Sequence, residues 1–296
     1  MSFLANGDTR LLVQGATGQL GRRAIQIMNA AGTKVVAGVT PGKGGELVAQ
    51  TPIYDSIEDA IDDKRRPNAS IAFVPAAHIA VAAAEAIEAE LEFVVLMVDA
   101  VPINTALEIM SMQRGSQTRV VGPNSPGIVS PGRCHVGALR QEAFMEGPVA
   151  VLSRSGGMMT TLCEYMTTTG IGQSTCIGVG GDSIIGTDLA EAALLAEADT
   201  DTQALCIFGE VGTSQEERLA SFMRQGRITK PVFAYIAGVN APPGRRYSHA
   251  GAHDVDGSSG GARKRRLLSD AGAFIVERYF ELPAVIAANV LQPRES

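Results

Sequence analysis

The sequence predicts an α/β protein in which strands and helices alternate and build parallel sheets. Short apolar runs that end in glycine or proline recur along the whole chain, and helical patterns separate them. This alternation is typical of parallel sheets, whose ligands bind at the carboxyl ends of the strands. A length of 296 residues, with a break in the pattern near residue 125, favours two domains. Strands are predicted at 11–15, 34–39, 70–74, 93–98, 119–121, 148–152, 176–180, 204–208, 231–236 and 272–276, and a last helix after Glu281.

The composition is that of a glycine-rich globular protein, with 45% hydrophobic residues, 19% charged residues and 33 glycines. A net charge of −6 argues against a nucleic-acid-binding protein that depends on overall positive charge. The basic run 263–266 is local and fits a solvated helix face. Residues 1–8 show no signal peptide, and no apolar run is long enough to span a membrane. We therefore expect a cytoplasmic protein that binds neither nucleic acid nor membrane.

The cysteines predict buried thiols in a reducing compartment. None of them has a C-x-x-C or other metal-ligand spacing, so no metal site is predicted in this chain. They are Cys134, Cys163, Cys176 and Cys206.

The first predicted strand opens a candidate nucleotide-binding unit. Strand 11–15 is followed by a glycine turn and a helical pattern, with glycines at 15, 18 and 21. Backbone N–H groups in such a turn can bind a pyrophosphate at the helix N-terminus. The alternative is that these glycines only allow the helix to pack closely on the strand.

The segment after strand 34–39 bears on the kind of nucleotide. A dinucleotide enzyme often has Asp or Glu here to hold the ribose hydroxyls. The chain instead has a glycine-rich turn, 40–45, that carries Lys43. A lysine suits a phosphorylated ribose, so NADP and coenzyme A are both favoured over NAD, and a hydride donor is not excluded.

In the second half, strand 148–152 is followed by Ser153-Arg-Ser-Gly-Gly157 and a helix predicted from about Met158 to Thr169. Ser155, with the glycines at 156 and 157, predicts an anion site at the N-terminus of this helix. Hydroxyl and amide donors would be directed at one point.

A glycine- and proline-rich loop, 238–252, follows strand 231–236 and carries His249. Residues of this kind form a shaped loop. Its histidine could reach a phosphate or acyl group, and Arg245 and Arg246 could hold anions. A surface histidine without function is the alternative, and His253 is a competing candidate.

The predicted strand ends place Ser155, Asp182, Glu210 and His249 on one rim. Glu210 could hydrogen-bond one imidazole nitrogen so that the other attacks a phosphoryl group. The order Ser155, Glu210, His249 is also that of an α/β-hydrolase triad, but the glycine two residues before the nucleophile is missing. Asp182 could equally be a turn residue, and Glu210 a solvated loop residue.

Taken together, the motifs resemble those of the α subunit of succinyl-CoA synthetase and its nucleoside-diphosphate-forming acyl-CoA ligase relatives, over roughly residues 8–290. The motifs that carry the resemblance are Gln14-Gly-Ala-Thr-Gly18, 38–45, Gly122-Pro-Asn-Ser-Pro-Gly127, 153–156, 178–182, Gly209-Glu-Val-Gly212 and 241–252. The resemblance implies a Rossmann-type CoA-binding domain at 1–125, a connecting segment at 126–146, and a flavodoxin-like ligase domain at 147–296 that carries the phosphohistidine loop.

The resemblance also implies a mechanism. In that family a histidine, here His249, is phosphorylated by ATP, and Glu210 matches the glutamate that orients it. The phosphohistidine then gives an acyl phosphate with a carboxylic acid, and the CoA thiol displaces the phosphate. The helix start that receives the phosphohistidine matches Ser153, Ser155, Gly156 and Gly157. The residues that bind CoA match Thr17, Gly18, Gln19, Leu20, Val39, Lys43, Val74, Pro75, Met97 and Asp99.

In that family, ATP or GTP with Mg²⁺ is bound mainly by a separate ATP-grasp-type β subunit, and the two kinds of subunit form a heterodimer or a heterotetramer. This sequence shows no Walker A or kinase-type glycine loop of its own, which agrees with a partner.

The departures from the family concern the acid. Succinate-using members have Thr at position 157 and a Tyr-Glu pair where Thr160 and Thr161 stand here, whereas citrate-cleaving relatives share 153–158. Residues expected at the acid are Asn124, Ser125, Gly157 and Thr160; Val98-Asp99 and Tyr247-Ser248 also depart from the family. A small carboxylic or sulfonic acid is expected, either succinate or malate, citrate or sulfoacetate. A serine hydrolase or acyltransferase and a non-catalytic CoA-binding sensor are the alternative functions.

Overall fold

The computed structural model describes residues 4–247 and 249–291 and divides the chain into two compact units. The first unit contains residues 4–141 and 184–187, and the second contains the remaining residues from 142 onwards. The division falls within the predicted connecting segment 126–146, and the predicted domain bounds stay a prediction. Within the described ranges, no helix is both long and apolar enough to span a membrane.

The first unit is an α/β layer structure around a twisted, mainly parallel sheet. Its strands are β1 (Arg10–Gln14), β2 (Lys34–Val39), β3 (Leu47–Val48), β4 (Thr51–Tyr54), β5 (Ala69–Ala72), β6 (Phe93–Leu96), β7 (Arg119–Val121), β8 (Gly127–Ser130) and β9 (Cys134–Gly137). Its helices are α1 (Gln19–Ala30), α2 (Ile57–Asp62), α3 (Ile79–Glu88) and α4 (Ile103–Arg114). The sheet order is β3-β4-β2-β1-β5-β6-β7, and only the β3–β4 pair is antiparallel. The strand order reverses between β1 and β5, and this is the point at which such sheets bind ligands.

Strands β8 and β9 form an antiparallel hairpin. The sequence analysis assigned this part of the chain to a connecting segment and predicted no strand there. The hairpin turns through Gly132, whose φ of 75° favours glycine.

Buried apolar residues on both faces of the central strands form the core of the first unit. Strands β5 and β6 are buried along their whole length, and α3 packs its alanine-rich face against them. Continuous apolar runs rather than alternating ones are typical of strands covered by helices on both faces.

Two glycines fix the turn between β1 and α1. Gly15 has a φ of 74°, and a Cβ there would lie 2.4 Å from the carbonyl oxygen of Phe73. A Cβ at Gly21 would lie 2.3 Å from the carbonyl oxygen of Gly15, so α1 lies directly on the turn. At Gly18, the N-cap of α1, a Cβ would be 3.4 Å from that oxygen, which is an ordinary contact.

The second unit is a parallel sheet with helices between its strands. Its strands are β10 (Glu146–Ser153), β11 (Gln173–Gly178), β12 (Ala204–Glu210), β13 (Val232–Ala237) and β14 (Phe274–Ile275). Its helices are α5 (Gly156–Thr168), α6 (Leu189–Ala198), α7 (Gln215–Arg224), α8 (Gly261–Asp270) and α9 (Leu282–Ile286). The strands are ordered β11-β10-β12-β13-β14 and are all parallel. This is the flavodoxin-like order, so the predicted α/β fold class is confirmed.

Most element bounds differ from the predictions by a few residues, and two of these differences have a clear cause or position. Helix α5 begins two residues before Met158, because the Ser155 side chain accepts a hydrogen bond from the Met158 N–H and so caps the helix. The strand predicted at 272–276 is reduced to Phe274 and Ile275 at the edge of the sheet.

The glycines of the β1–α1 turn allow a matched test of the packing. We expect Gly21→Ala to lower the free energy of unfolding by about 1–3 kcal/mol, because its methyl group would push α1 away from the turn. Gly18→Ala has room for its methyl group and should cost less than about 1 kcal/mol. Chemical denaturation of both variants checks this, and equal losses would contradict the packing account.

Candidate functional site

The predicted rim is present at the carboxyl ends of the second sheet. Ser155 follows β10, Asp182 follows β11, Glu210 ends β12, and His249 lies in the loop after β13. Because these strands are neighbours and parallel, all of these residues lie along one edge of the sheet.

Two of these residues, His249 and Glu210, are in direct contact. The imidazole Nδ1 lies 3.0 Å from Oε1 and 2.9 Å from Oε2 of the carboxylate. The Glu210 side chain is 9% exposed and that of His249 is 23% exposed. The predicted hydrogen bond is therefore confirmed, whereas the catalytic role of the pair stays a prediction. Since the carboxylate can only accept, Nδ1 carries the proton and Nε2 is left with its lone pair in the neutral ring.

The loop that carries His249 is hydrogen-bonded to the residues that follow β11. The N–H of Gly251 donates to the carbonyl oxygen of Gly181 at 2.9 Å, and the Ser183 hydroxyl donates to that of Ala250 at 3.0 Å. The ring packs flat against Gly181, where a Cβ would lie 2.7 Å from the imidazole Cδ2. Only glycine at 181 leaves room for the ring in this position.

The other candidates in the loop have different surroundings. Arg245 and Arg246 are exposed, and Arg246 forms an isolated antiparallel bridge with His253. The carboxylate contact thus distinguishes His249 from the competing His253. Ser248, part of the departure from the family at 247–248, lies outside the described residues.

A pocket of about 430 Å³ opens beside His249. Aromatic side chains form much of its wall, and Tyr235 lies between Phe208 and Tyr279, at ring-centre distances of 5.4 and 6.2 Å. The sequence analysis missed these aromatic residues because they lie within or after ordinary apolar strands. The lining consists of Ser155, Met158, Phe208, Glu210, Val211, Tyr235, Ala237, Gly238, Tyr247, His249, Ala252 and Tyr279.

The two serines at the helix start beside this pocket form different hydrogen bonds, and their role in binding phosphate stays a prediction. Ser153 is fully buried, and its hydroxyl donates to the carbonyl oxygen of Ser155 at 2.7 Å, so it shapes the turn. The Ser155 hydroxyl accepts from the Met158 N–H at 3.4 Å. Because a hydroxyl that accepts keeps its own proton, an anion would meet the Ser155 O–H as well as the first backbone N–H groups of α5, at Gly156 and Gly157.

The electrostatics of the site favour a charged imidazole. The hydrogen bond that His249 donates to Glu210 raises the pKa of His249 above its ordinary value of 6.5, and the charge of Asp182 acts in the same direction. Partial burial and the positive charge of Arg154 oppose this rise in pKa without cancelling it.

The first unit has a pocket of its own, of about 490 Å³, at the strand-order reversal. Of the residues predicted to bind CoA, it is lined by Thr17, Gly18, Val39, Val74 and Pro75. The others, Gln19, Leu20, Lys43, Met97 and Asp99, are not part of this lining. The lining also contains residues that the sequence analysis did not name as CoA-binding: Gln14, Gly15, Thr40, Pro41, Phe73, His78, Val81, Ala82 and Glu85.

Two cations share a carboxylate near this pocket. Lys43 Nζ lies 3.3 Å from Glu46 Oε1, and Arg22 Nη2 lies 3.8 Å from Glu46 Oε2. Arg22 also donates from Nε to the carbonyl oxygen of Thr17 at 2.7 Å, which ties it to the glycine turn. The sequence analysis did not name Arg22, because the sequence at the start of a helix does not indicate which basic side chain will hydrogen-bond to the preceding loop.

The residues predicted at the acid are divided between the two units, so their assembly into one site stays a prediction. In the first unit, Ser125 is buried and its hydroxyl accepts from the Gly127 N–H at 3.1 Å; Asn124 precedes it with a φ of 57°. In the second unit, Thr160 donates to the carbonyl oxygen of Gly156 at 3.1 Å. Gly157 has open space around its Cβ position.

Two family models match the chain, one in each unit. A CoA binding domain matches residues 6–99, and a CoA-ligase domain matches residues 152–269. These matches define a class of two-domain proteins with a CoA-binding part and a ligase part.

Curated relatives match nearly the whole chain. It is 39% identical to the succinate–CoA ligase [ADP-forming] subunit alpha 2 of Archaeoglobus fulgidus, over 97% of this chain and 99% of that protein. It is 41% identical to the corresponding alpha subunit of Methanothermobacter thermautotrophicus, over 93% of each. The chain therefore belongs to the family of succinate–CoA ligase [ADP-forming] alpha subunits.

Solved structures share the fold at lower identity. An ATP citrate lyase from Methanothrix soehngenii, in complex with citrate and coenzyme A, superposes with a TM-score of 0.88 at 20% identity. A dinucleotide-forming acetyl-coenzyme A synthetase 1 from Ca. Korarchaeum cryptofilum gives 0.81 at 18% identity. The alignments cover 99% and 97% of this chain but only 52% and 62% of those longer chains.

The charge of Glu210 can be tested by Glu210→Gln, whose amide oxygen still accepts from Nδ1–H. We expect the pKa of His249 to fall towards 6.5, because a neutral amide keeps the hydrogen bond but lacks the negative charge that favours the protonated ring. A group whose pKa is raised on folding stabilises the protein fully below its unfolded pKa and loses this effect as the pH rises through the folded pKa. The stability difference between wild type and variant should therefore be largest below pH 6.5 and should shrink above it.

NMR titration of the His249 ring and denaturation at several pH values measure both effects. An unchanged pKa of His249 in the Glu210→Gln variant would remove the carboxylate charge as the cause.

Proposed function

We propose that this chain is the α-type subunit of an ADP- or GDP-forming acid–CoA ligase, and that His249 carries the phosphoryl group between nucleotide and acid. The observation that carries the proposal is the His249–Glu210 hydrogen bond, located beside the N-terminus of α5 and at the carboxyl edge of a flavodoxin-like sheet. The relatives named as succinate–CoA ligase alpha subunits support the same reaction class.

The first step would use the free imidazole nitrogen. With Nδ1–H donated to Glu210, the Nε2 lone pair attacks the terminal phosphorus of the nucleoside triphosphate. An N–P bond forms, and the P–O bond to the leaving nucleoside diphosphate breaks. The Glu210 carboxylate stabilises the positive charge that develops on the ring. The N–H groups at the start of α5 would offset the negative charge of the phosphoryl group. Because the protonated ring has no lone pair, phosphorylation should be slow below the pKa of His249.

The remaining steps would transfer the activated group. A carboxylate oxygen of the acid attacks the phosphorus, which releases His249 and forms an acyl phosphate. The thiol sulfur of CoA, after loss of its proton, then attacks the acyl carbon, and inorganic phosphate leaves. In the first unit the lining of the pocket fits the nucleotide end of CoA, since apolar walls at Val39, Val74 and Val81 adjoin the start of α1. The N–H groups of Gly15 and Gly18 already donate to backbone carbonyl oxygens, so a pyrophosphate would meet the first N–H groups of α1, at Gln19 and Leu20.

The nucleotide would be supplied by a partner. The relatives are alpha subunits by name, and we propose an ATP-grasp-type β subunit that binds ATP or GTP and Mg²⁺, in a heterodimer or a heterotetramer. A cytoplasmic location is proposed with it, because the four cysteines are free and buried, as is usual in a reducing compartment.

The acid is proposed to be a small carboxylic or sulfonic acid. Space for a side chain at Gly157, where succinate-using members have Thr, leaves room for an acid larger than succinate. Malate, citrate and sulfoacetate are therefore proposed beside succinate, with Asn124, Ser125, Gly157 and Thr160 as the residues that select among them.

The experiment is a ligase assay with the chain co-expressed with its β subunit, ATP or GTP, CoA and a panel of these four acids. We expect turnover with at least one acid, and none with His249→Ala, whose CoA affinity should be unchanged. Turnover that survives His249→Ala would contradict the phosphohistidine step. Labelling of Ser155 by a fluorophosphonate would instead support a serine hydrolase, and CoA binding without turnover or phosphorylation would support a sensor.

Lys43 provides a test of the CoA orientation. We expect Lys43→Ala to weaken CoA by about tenfold and dephospho-CoA far less, because only CoA has the ribose phosphate that a lysine would hold. Glu46→Gln is the matched control, since it frees Lys43 and Arg22 from their shared carboxylate and should strengthen CoA binding. Isothermal titration of both ligands measures this. Equal losses for CoA and dephospho-CoA in Lys43→Ala would remove Lys43 from the phosphate site.

A further inference from the structure

A fully buried arginine lies behind the His249–Glu210 pair. Arg154 has no exposed surface, and its Nη1 donates to the carbonyl oxygens of Glu210, Val211 and Gly212 at 3.0, 3.1 and 3.0 Å. These are consecutive residues at the point where β12 ends. One guanidinium group therefore holds the backbone of the segment that carries the glutamate.

Glu216 connects the same segment to a second cation. Its Oε1 accepts from the backbone N–H of Glu210 at 2.9 Å and lies 3.5 Å from Arg154 Nη1. Its Oε2 accepts from Lys264, which is also fully buried and donates to the carbonyl oxygen of Thr213 at 3.1 Å. Burial alone would raise the pKa of Glu216, but Arg154 and Lys264 outweigh it and hold that pKa below its ordinary value.

Arg154 also touches the histidine side of the pair. A Cβ at Gly251, two residues beyond His249, would lie 2.9 Å from Arg154 Nη2. Both the Glu210 segment and the His249 loop therefore pack on one guanidinium group.

Such a network of buried charges contributes less to stability than an apolar core of the same volume often does. Buried ion pairs lose their hydration, and apolar residues of similar volume often give equal or greater stability. Two of the Arg154 nitrogens, Nε and Nη2, are buried without a hydrogen-bond partner in the described part of the chain, which adds to this cost. Stability alone therefore does not explain why the arginine is there, whereas the geometry of residues 210–212 does.

We propose that Arg154, with Glu216, is a positioning residue that holds the Glu210 carboxylate against His249 Nδ1. It acts on the reaction only through that pair, and its effect on catalysis rests on the proposed function. Arg154 is not required to touch the substrate, the nucleotide or CoA.

The simplest rival is that Arg154 acts only as a nearby positive charge. The charged groups that face His249 come from three strand ends: Arg154 after β10, Asp182 after β11, and Glu210 at the end of β12. The Arg154 charge lowers the pKa of His249, whereas the Glu210 hydrogen bond raises it. The two accounts therefore predict opposite signs when Arg154 is replaced.

The test is an NMR titration of the full chain labelled with ¹⁵N-histidine. In Arg154→Met, we expect the pKa of His249 to fall towards 6.5 and the preference for the Nδ1–H tautomer to be lost, because the Glu210 carboxylate is no longer held in place. A rise in that pKa, or no change, would overturn the proposal.

Arg154→Lys serves if the methionine variant does not fold. It keeps the positive charge but loses the rigid guanidinium plane that places Nη1 among the three carbonyl oxygens. The positioning account still predicts a fall in the pKa of His249, whereas an effect of charge alone predicts no change.

Lys230→Met is the matched control. This half-buried lysine also donates to backbone carbonyl oxygens, those of Ala196 and Asp199, but it precedes β13 and so lies at the opposite end of the strands. We expect it to lower stability without moving the pKa of His249. A similar pKa fall in this control would mean that any loosening of the unit disturbs the pair, and would overturn a specific role for Arg154.

The same variants, assayed in the complete ligase, show whether the position of the Glu210 carboxylate affects the rate at which His249 is phosphorylated. We expect Arg154→Lys to slow phosphorylation of His249 by about 10–100-fold, as is typical when the support of a reacting group is removed, with the CoA affinity unchanged. Failure of the wild-type complex to phosphorylate His249 would refute the proposed function but leave the NMR result on positioning intact. Normal phosphorylation in Arg154→Lys would refute the positioning role alone.

Discussion

The contact between the Glu210 carboxylate and His249 Nδ1 is the interaction on which the proposed chemistry of the second unit depends. It fixes which ring nitrogen carries the proton and which is available to react. The two residues lie far apart in the chain, and they meet because parallel strands end at one edge and the histidine loop is fastened to Gly181 and Ser183. The flavodoxin-like strand order is thus what makes the pair possible.

The charged and polar groups around this pair have different roles. The carboxylate makes the imidazole more basic, and the backbone N–H groups at the start of α5 form the proposed anion site. The buried cations Arg154 and Lys264 bind the backbone and Glu216 rather than solvent. The ionisable imidazole of His249 is thus surrounded by groups whose positions are set by the fold.

Much of this could be predicted from the sequence, because the fold leaves local signals. Apolar runs indicated the strands, and glycine-rich turns at their ends indicated both the first-unit pocket and the rim with His249 and Glu210. Arg154 left no such signal: it lies between two serines, as a loop residue would, and its burial is caused by partners more than fifty positions away. The aromatic wall at Tyr235 and the hydrogen bond that occupies the Ser153 hydroxyl were likewise decided by the folded structure.

The most direct test of the account is the position of the phosphoryl group after the ligase complex has reacted with ATP in the absence of acid and CoA. Mass spectrometry would locate the modified residue, and ³¹P–¹⁵N NMR of histidine-labelled protein would identify the bonded nitrogen. The account predicts acid-labile phosphate on Nε2 of His249, because Glu210 occupies Nδ1. Phosphate on Nδ1, on Ser155 or on His253 would contradict it.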